Sequence, residues 1–371
     1  MKNIFKYAVV GAGAAGLSCI HILNKISNKK ILVIDKNIHT QKNHFFGYWK
    51  MPWTEEVDKK LNKYWNTWSI IDDSNEIEHT SKKHPYTALE LNIWKDECLK
   101  EKEKIKIKEN YVENIAKTKD GFELTLDNKE IFKAEEIINS RTIKIEKKIL
   151  KQHFLGHLIE TNKEVFNQDK LILMDFRVDQ SKGIHFIYLL PFTNKKALVE
   201  STMFSFNIED DVWYKNTIND YLKNNFNIDE WRVISEEKGI IPMTVFNRPK
   251  NNFINIGIQS GAIKPSSGYA FSFIQKQLLS LKDINFQKEK FLYFDSQERI
   301  DKWMDLIFLK VLETYPKLAV NIFINLAKGL NGDEFAIFMS GKANMYLRLK
   351  VMLKMPKKPF LKVFFNYLIG K

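Results

Sequence analysis

The 371-residue sequence predicts an α/β protein with a Rossmann-like dinucleotide-binding domain, an inserted antiparallel sheet and a helical C-terminal region. Three observations predict this fold class. A glycine-rich turn joins a buried strand to a helix near the N-terminus, strand-forming segments follow one another between Lys170 and Met203, and the pattern beyond Asp295 is helical. With 44% apolar and 13% aromatic residues, the chain can bury a sizeable core.

The first element is a βαβ unit. Residues 7–11 are typical of a buried strand, residues 14–26 of a helix and residues 30–35 of a second strand. Gly11–Gly16 has the GxGxxG spacing, which permits a tight turn, the close approach of a pyrophosphate and close helix–strand packing. Asp35 can accept hydrogen bonds from ribose hydroxyls and would repel a 2′-phosphate. The predicted dinucleotide contacts are Gly11, Gly13, Ala14, Ala15, Gly16, Asp35 and Lys36.

The next segments are less regular. Residues 95–108 are charged and helical in character, and residues 121–126 alternate like an exposed strand. Arg141 lies where flavoproteins often close their first domain, and a structural salt bridge explains it equally well.

Three strands then predict an antiparallel meander: residues 171–176, 184–190 and 197–203. The chain returns to a buried strand at residues 253–257, and a Gly/Pro/Ser loop leads to a helix at residues 269–281. A nicotinamide dehydrogenase usually continues with parallel βα units, whereas this order resembles the FAD-dependent hydroxylases and reductases, so FAD is the expected cofactor. The predicted regions are a discontinuous FAD-binding domain at 1–75, 100–148 and 250–290, an antiparallel substrate domain at 76–99 and 149–249, and a helical, basic, membrane-facing region at 291–371.

Several segments together resemble the lycopene β-cyclases of bacteria and plants. Phe46–Trp49, near Asn43, is similar to the segment after the family's second strand, and Leu173–Phe176 with Gln180 to its central Met-Asp…Gln pattern. The other similar segments are Leu198–Thr202 (the acidic Glu-Glu-Thr motif), Glu237–Met243 (Glu-x-Gly-x-x-Pro), Gly257–Tyr269 (the flavin-closing loop) and Phe335–Lys350 (the helical ending of bacterial members). The resemblance spans nearly the whole chain.

The resemblance implies an acid-catalysed, non-redox cyclisation of the ψ-ends of lycopene to β-ionone rings, through γ-carotene to β-carotene. Reduced FAD is expected to stabilise the carbocation, with NAD(P)H as its reductant. Glu200 is the expected proton donor, because on an extended strand it shares an apolar face with Leu198 and burial raises a carboxyl pKa. Glu237 is the second candidate; the alternative for each is an ordinary acid paired with a lysine. The resemblance assigns flavin contacts to Gly261, Pro265, Ser267, Gly268 and Tyr269, and suggests Phe46, Tyr48, Trp49 and Met243 as substrate lining.

Two positions depart from the family pattern. Ser201 replaces the second carboxylate of the acidic motif, which we expect to remove a charge beside Glu200 and to alter its pKa or proton supply. Ser267 replaces the usual threonine of the loop and retains a hydroxyl.

The formal net charge of +13 is concentrated near the C-terminus. Apolar residues recur there at helical spacing, which predicts two short amphipathic helices separated by Pro356 and Pro359. They either pack on the core under a solvated lysine face or lie on anionic lipid, which would place the protein on the cytoplasmic, inner face of the cell membrane. After residue 334 the chain has no Asp or Glu, and its basic residues are Lys342, Arg348, Lys350, Lys354, Lys357, Lys358, Lys362 and Lys371.

Other classes are disfavoured by composition. No apolar run approaches the roughly 18–20 residues of a membrane-spanning helix, and no secretory signal is expected at the N-terminus. Cys19 and Cys98 lack a CxxC spacing and are expected to be buried thiols, and the histidines show no metal-ligand spacing. No nucleic-acid-binding module is recognisable. Two alternatives remain: a FAD-dependent lipid or prenyl reductase or monooxygenase, and a non-catalytic basic lipid-binding protein.

Overall fold

The computed structural model describes residues 4–61, 63–142, 145–246, 251–279 and 295–368, and it confirms the α/β fold class. The strands are β1 (Phe5–Val10), β2 (Ile31–Ile34), β3 (Phe45–Trp49), β4 (Tyr64–Trp65), β5 (Thr67–Ile71), β6 (Glu76–Thr80), β7 (Tyr86–Glu90), β8 (Ile105–Lys108), β9 (Val112–Thr118), β10 (Gly121–Leu126), β11 (Ile131–Asn139), β12 (Lys151–Glu160), β13 (Lys170–Asp175), β14 (Ile184–Pro191), β15 (Lys196–Ser205), β16 (Arg232–Pro242) and β17 (Ile254–Asn255). The helices are α1 (Ala14–Ile26), α2 (Glu55–Asp58), α3 (Leu91–Cys98), α4 (Asp211–Phe226), α5 (Phe271–Leu278), α6 (Arg299–Thr314), α7 (Ala319–Gly329), α8 (Gly332–Met339), α9 (Met345–Lys354) and α10 (Lys357–Leu368).

The first sheet has the order β8-β2-β1-β11-β10-β9, with β17 also paired to β11. Strands β8, β2, β1, β11 and β17 are parallel, and β9 and β10 form an antiparallel extension. The predicted helix over residues 95–108 is wrong at its second half, because α3 ends at Cys98 and residues 105–108 form β8. Its Ile-Lys-Ile-Lys alternation has the period of a strand, and Ile105 pairs with Ile31 of β2.

The second sheet has the order β16-β12-β15-β14-β13-β5-β6 and contains the predicted meander. Helix α4 packs on one face, where Val199 and Ile187 share a core cluster with Tyr214 and Ile218. The opposite face joins a larger core with the C-terminal helices. Strands β5 and β6 belong to this sheet although they precede β8 to β11 in the chain, so residues 67–71 pair here and not with the predicted first domain.

A three-stranded sheet of order β3-β7-β4 lies between the two large sheets. Alternate residues of β3 face different cores: Phe46 and Tyr48 pack with the α1 and α5 side of the first sheet, and Trp49 packs in the core of the second. The small sheet thereby brings the two halves of the molecule together at one point.

The residues described beyond position 295 form five α-helices, α6 to α10, which confirms the helical C-terminal region. No helix in the described part of the chain is long and apolar enough to cross a membrane. Pro356 separates α9 from α10 as predicted, but Pro359 lies within the first turn of α10. It does not break the helix, because the first N–H groups of a helix have no intrahelical acceptor.

Candidate active site

The glycine-rich turn adopts the geometry that its spacing predicts. Gly11 has a φ of +97°, and a Cβ built on Gly16 would lie 1.9 Å from the Gly11 carbonyl oxygen, so only glycine permits this contact between strand and helix. Helix α1 begins at Ala14, and no side chain caps its N-terminus. Its first N–H groups are available to an anion such as a pyrophosphate.

The late loop, residues 257–269, packs against this turn. Gly257 has a φ of +79°, and a Cβ there would lie 2.8 Å from the Cβ of Ala15. A Cβ built on Gly13 or on Gly261 would meet no atom within 4 Å, so both glycines border open space. The buried hydroxyl of Ser267 has no hydrogen-bond partner within the described residues. An uncapped helix, two open glycines and an unpaired hydroxyl fit a dinucleotide with its flavin end under the loop.

Asp35, Lys36 and Arg141 lie outside the late loop and differ in their contacts. The Asp35 carboxylate accepts hydrogen bonds from the N–H groups of Ala12 and Asn37, both at 2.8 Å, and so lies beside the glycine turn. Lys36 is exposed. Arg141 donates to Asn139 Oδ1 at 2.9 Å and to the Val112 carbonyl at 3.0 Å, which gives it a structural role between strands.

A pair of buried carboxyl groups lies on the second sheet. Glu200 of β15 and Glu237 of β16 are 7% and 6% exposed, and both are register partners of Gly156 on the strand between them. A Cβ on Gly156 would lie 2.6 Å from Glu200 Cγ and 3.4 Å from Glu237 Cγ. The missing side chain at position 156 is what allows the two carboxyl groups to meet across a strand.

Their environment favours a shared proton. Burial raises the pKa of Glu200 well above its usual range, and the charge of Glu237 and a hydrogen bond to it raise it further. Burial also raises the pKa of Glu237, but the hydrogen bonds from Glu200 and from the Phe45 N–H, at 2.9 Å, oppose that rise. The two carboxyl groups therefore titrate as a coupled pair, and the pair retains a proton above the ordinary carboxyl range.

Three tyrosines converge beside this pair. The Tyr86 hydroxyl lies 2.8 Å from that of Tyr188 and 3.2 Å from that of Tyr269, the last residue of the late loop. Tyr188 is the register partner of Glu200 on β14, so their side chains share one face of the sheet. A Cβ on Gly47 would lie 2.2 Å from the Tyr86 oxygen. Burial raises the pKa of all three hydroxyls well above its usual range, so they remain protonated donors.

The four predicted substrate-lining residues are divided between two places. Trp49 lies beside the tyrosines, with ring centroids 4.8 Å from Tyr86 and 5.1 Å from Tyr269. Phe46 instead stacks on Phe271 of α5 at 4.8 Å, and Tyr48 donates to Asp58 at 2.9 Å. Met243, 2% exposed, is packed in the core shared by the second sheet and the C-terminal helices. The structure therefore brings Trp49 to the tyrosines beside the carboxyl pair and directs Phe46 and Tyr48 toward the first sheet.

The expectation that Ser201 removes a charge beside Glu200 is wrong. Ser201 is fully buried on the opposite face of β15, where its hydroxyl lies 2.9 Å from Nε2 of His185. Successive residues of a strand alternate between faces, so a residue adjacent in sequence to Glu200 cannot be adjacent to its carboxyl group. The second carboxylate on the Glu200 face is Glu237.

Sequence reasoning missed Gly156, Tyr86 and Tyr188. An isolated glycine within a strand pattern indicates that other atoms approach its backbone closely, and Gly156 is such a glycine. The two tyrosines lie on separate strands without a local pattern that marks them.

The carboxyl pair predicts a pH dependence of stability. Both folded-state pKa values are raised above the ordinary 4.5, so the pair's stabilising contribution is complete below about pH 4.5 and is lost as the pH rises through the raised pKa. We expect Glu200→Gln, which cannot ionise, to gain melting temperature relative to the wild type as the pH rises from about 5 to 8. Thermal melts across this range measure it.

Glu236→Gln, next to Glu237 on β16, is the matched control. Lys215 lowers the pKa of Glu236 by hydrogen bonding, so its removal gives no gain with rising pH. If the difference in melting temperature between Glu200→Gln and the wild type does not change with pH, the raised pKa is contradicted.

Comparison with known proteins identifies relatives. A family model described as "Lycopene cyclase protein" matches residues 7–363. Lycopene beta-cyclase of Pantoea ananas is 25% identical over 206 residues, which cover 51% of this chain and 53% of that protein. The chloroplastic neoxanthin synthase of Solanum tuberosum is 32% identical over 127 residues, or 31% of this chain and 25% of that protein. The matched stretches thus span about half of the first protein and a quarter of the second.

Solved structures share the fold at low sequence identity. A geranylgeranyl bacteriochlorophyll reductase-like protein from Thermoplasma acidophilum has a TM-score of 0.62 at 14% identity, covering 98% of this chain and 99% of that one. The halogenase PltM, in a variant solved in complex with FAD, has a TM-score of 0.57 at 10% identity, with coverage of 90% and 78%. The family model extends from the first strand of the nucleotide fold into the last described helix, and the chain belongs to the lycopene cyclase family.

Proposed function

We propose that this protein is a lycopene β-cyclase that closes β-ionone rings by acid catalysis without net redox change. The observation that carries the proposal is the carboxyl pair of Glu200 and Glu237, buried together beside a tyrosine cluster that includes Tyr269 of the late loop. An acid that keeps its proton at neutral pH is what protonation of an alkene requires.

The chemistry assigns a role to each residue. Glu200 delivers its proton to C2 of the terminal C1=C2 bond, and a tertiary cation forms at C1. The C5=C6 electrons close the C1–C6 bond, the charge moves to C5, and loss of the C6 proton gives the β-ring, so protons balance. Glu237 holds the proton-bearing carboxyl group in place by accepting its hydrogen bond. Trp49 and the tyrosine rings offer π-faces to the cationic intermediates.

FAD fits the open space between the glycine turn and the late loop, and in its reduced form, maintained by NAD(P)H, it would supply negative charge near the cation. The residues that would hold it are the α1 N-terminus, Asp35 and the loop that carries Gly261, Ser267 and Gly268.

The direct test is a product chromatogram from lycopene-producing cells that express this chain. The proposal expects γ-carotene and β-carotene, with no NAD(P)H consumed in proportion to product. Stoichiometric consumption with a hydrogenated or oxygenated product would instead select a lipid reductase or monooxygenase. Purified protein that binds no flavin and forms no product, but sediments with anionic vesicles, would indicate a lipid-binding protein.

Gly13→Val tests the cofactor site. Because a Cβ at position 13 meets no protein atom, the variant is expected to fold, while the added side chain occupies the space predicted for the pyrophosphate. We expect flavin affinity to fall at least about tenfold, or 1.4 kcal/mol, measured by flavin retention and fluorescence titration. If a folded Gly13→Val protein binds flavin as tightly as the wild type, the pyrophosphate does not bind beside position 13.

A membrane-facing role for α9 and α10 is supported by their surface. The basic charge is smaller there than the sequence indicates, because Arg348 is buried against Asp301 at 2.8 Å and Lys350 pairs with Glu334 at 2.7 Å. The exposed residues include Lys354, Lys357, Lys358 and Lys362, together with Leu353, Leu361, Phe365 and Leu368. Exposed lysines beside exposed large apolar side chains are typical of a helix at the lipid surface.

The double substitution of Lys357 and Lys358 by Gln is therefore expected to weaken binding to anionic vesicles. Each lysine near the surface contributes about 1 kcal/mol, so the loss is about thirtyfold at low salt, measured by vesicle sedimentation. The control is the same double substitution at Lys117 and Lys119, exposed lysines of the β9–β10 hairpin, which changes net charge equally. Equal losses of vesicle binding in the two double variants would show that binding depends on the overall net charge and not on the lysines of α10.

A further inference from the structure

A cavity of about 300 Å³ lies among the C-terminal helices, away from the carboxyl pair. Its wall is built from apolar side chains of α6 to α10 and from the late loop at residues 264–267. The principal apolar side chains are Phe308, Phe323, Leu326, Phe338, Met352 and Phe364. Its volume is at the lower end of the range for small-molecule sites.

The polar groups in its wall are mostly occupied by one another. The Lys264 ammonium lies 2.9 Å from Asp305 Oδ1, and both side chains are almost fully buried. The Ser266 hydroxyl donates to the same carboxylate at 2.6 Å, and the Gln297 amide donates to its other oxygen at 3.2 Å. Because these charges and donors satisfy each other, the wall offers a ligand mainly apolar contacts, with the unpaired Ser267 hydroxyl among its few available polar groups. Such a site suits a hydrocarbon.

The loop connects the cavity to the carboxyl pair. Ser267 lines the cavity, and two residues later Tyr269 reaches the tyrosine cluster beside Glu200. Trp49 continues the apolar surface, since its ring lies 5.1 Å from that of Tyr269 and 5.8 Å from that of Phe335 on α8. An apolar chain leaving the carboxyl pair therefore meets aromatic side chains in the direction of the cavity.

The other side of the cavity reaches the protein surface. Phe360 and Phe364 of α10 line it, and Leu361 lines it while remaining 52% exposed. The same helix presents Phe365 and Lys362 outward. Helix α10 is thus a thin wall between the cavity and the surface assigned to lipid.

We infer that this cavity binds the unreacted part of the long hydrocarbon substrate, and that the substrate enters from the lipid beside α10. The inference rests on the proposed function for the identity of the substrate, and it adds a second binding region remote from the acid. An elongated substrate held at its far end is positioned for reaction at the near end, since binding energy from unreacting parts orients the reacting centre.

Met352→Trp tests this inference. Met352 lines the cavity from α9, and an indole there would fill it. Binding of lycopene to the oxidised protein, without NAD(P)H, is measured by quenching of tryptophan emission in detergent micelles. We expect the dissociation constant and the KM to rise at least tenfold, with kcat at saturation changed less than threefold.

Val212→Trp is the control, because Val212 is 64% exposed on α4, which packs on the face of the second sheet opposite the C-terminal helices. It is expected to bind lycopene within twofold of the wild type. Wild-type binding and KM in Met352→Trp would overturn the inference. If that variant does not fold, an alkyl diazirine probe on the wild-type protein replaces it: lycopene-competed labelling of α6, α7 or α10 peptides is expected, and labelling confined to other segments would overturn the inference.

The two proposals fail separately. A protein that binds lycopene in this cavity but forms no ring would refute the cyclase and leave the cavity assignment standing. Ring formation that is unaffected by Met352→Trp would do the reverse.

Discussion

Glu200→Gln is expected to lower ring formation by about 10²–10⁴-fold, the usual contribution of a general acid. The amide has the shape of the carboxyl group and can donate to Glu237, but it has no proton to transfer. The loss should appear in kcat with lycopene binding retained. The measurement is anaerobic turnover of lycopene with FAD and NADPH in liposomes, followed by chromatography of the carotenes.

The control is again Glu236→Gln, one residue from Glu237 on the same strand. Glu236 pairs with Lys215 at 2.8 Å, outside the carboxyl pair, and its loss should leave turnover within twofold. Unchanged ring formation in Glu200→Gln would remove Glu200 from the mechanism. Wild-type turnover should also fall as the pH rises through the raised pKa of the pair, because the carboxyl group ionises and can no longer donate its proton.

Gly156→Ala is expected to lower turnover by about 10²-fold although it replaces neither carboxyl group. The new methyl would lie 2.6 Å from Glu200 Cγ, so the two carboxyl groups must move apart. A displacement on the order of 1 Å at a reacting centre costs about that factor. Turnover and flavin content of the folded variant are the measurements.

Gly239→Ala provides a comparison on the neighbouring strand β16. Its methyl would lie 2.7 Å from the ring of Phe154 and not against either carboxyl group. It should therefore lower the melting temperature more than the turnover. Equal turnover in the two alanine variants would indicate that the contact across position 156 has no catalytic role.

The contrast between Glu200 and Glu237 shows what sequence alone reveals about this site. The burial of Glu200 follows from alternation along one strand, which is local information. Its contact with Glu237 depends on the register of β15, β12 and β16, which is set by pairing between distant segments. The same alternation places Ser201 on the opposite face, which contradicts the expectation, drawn from the family motif, that Ser201 changes the charge beside Glu200.

The basic C-terminal region shows a similar limit. The helices and the proline between them follow from local patterns, and their positions are confirmed. The burial of Arg348 depends on Asp301 in α6, 47 residues away, and no local pattern marks that pairing. The glycine turn, by contrast, encodes its own geometry, and its prediction needed no distant residue.

The interleaved strand order constrains how the chain folds as it leaves the ribosome. Strand β5 can pair only after β13 has been synthesised: the Leu171 carbonyl of β13 accepts a hydrogen bond from Ser69, 102 residues earlier. Likewise, Asn139 at the end of β11 bonds to Asn255, which is synthesised 116 residues later. Neither large sheet can be completed until long stretches of polypeptide have been synthesised, and such non-local pairing slows folding and prolongs exposure of unpaired edges. The two large sheets are therefore expected to complete their folding together, and neither sheet is complete in a fragment cut between them.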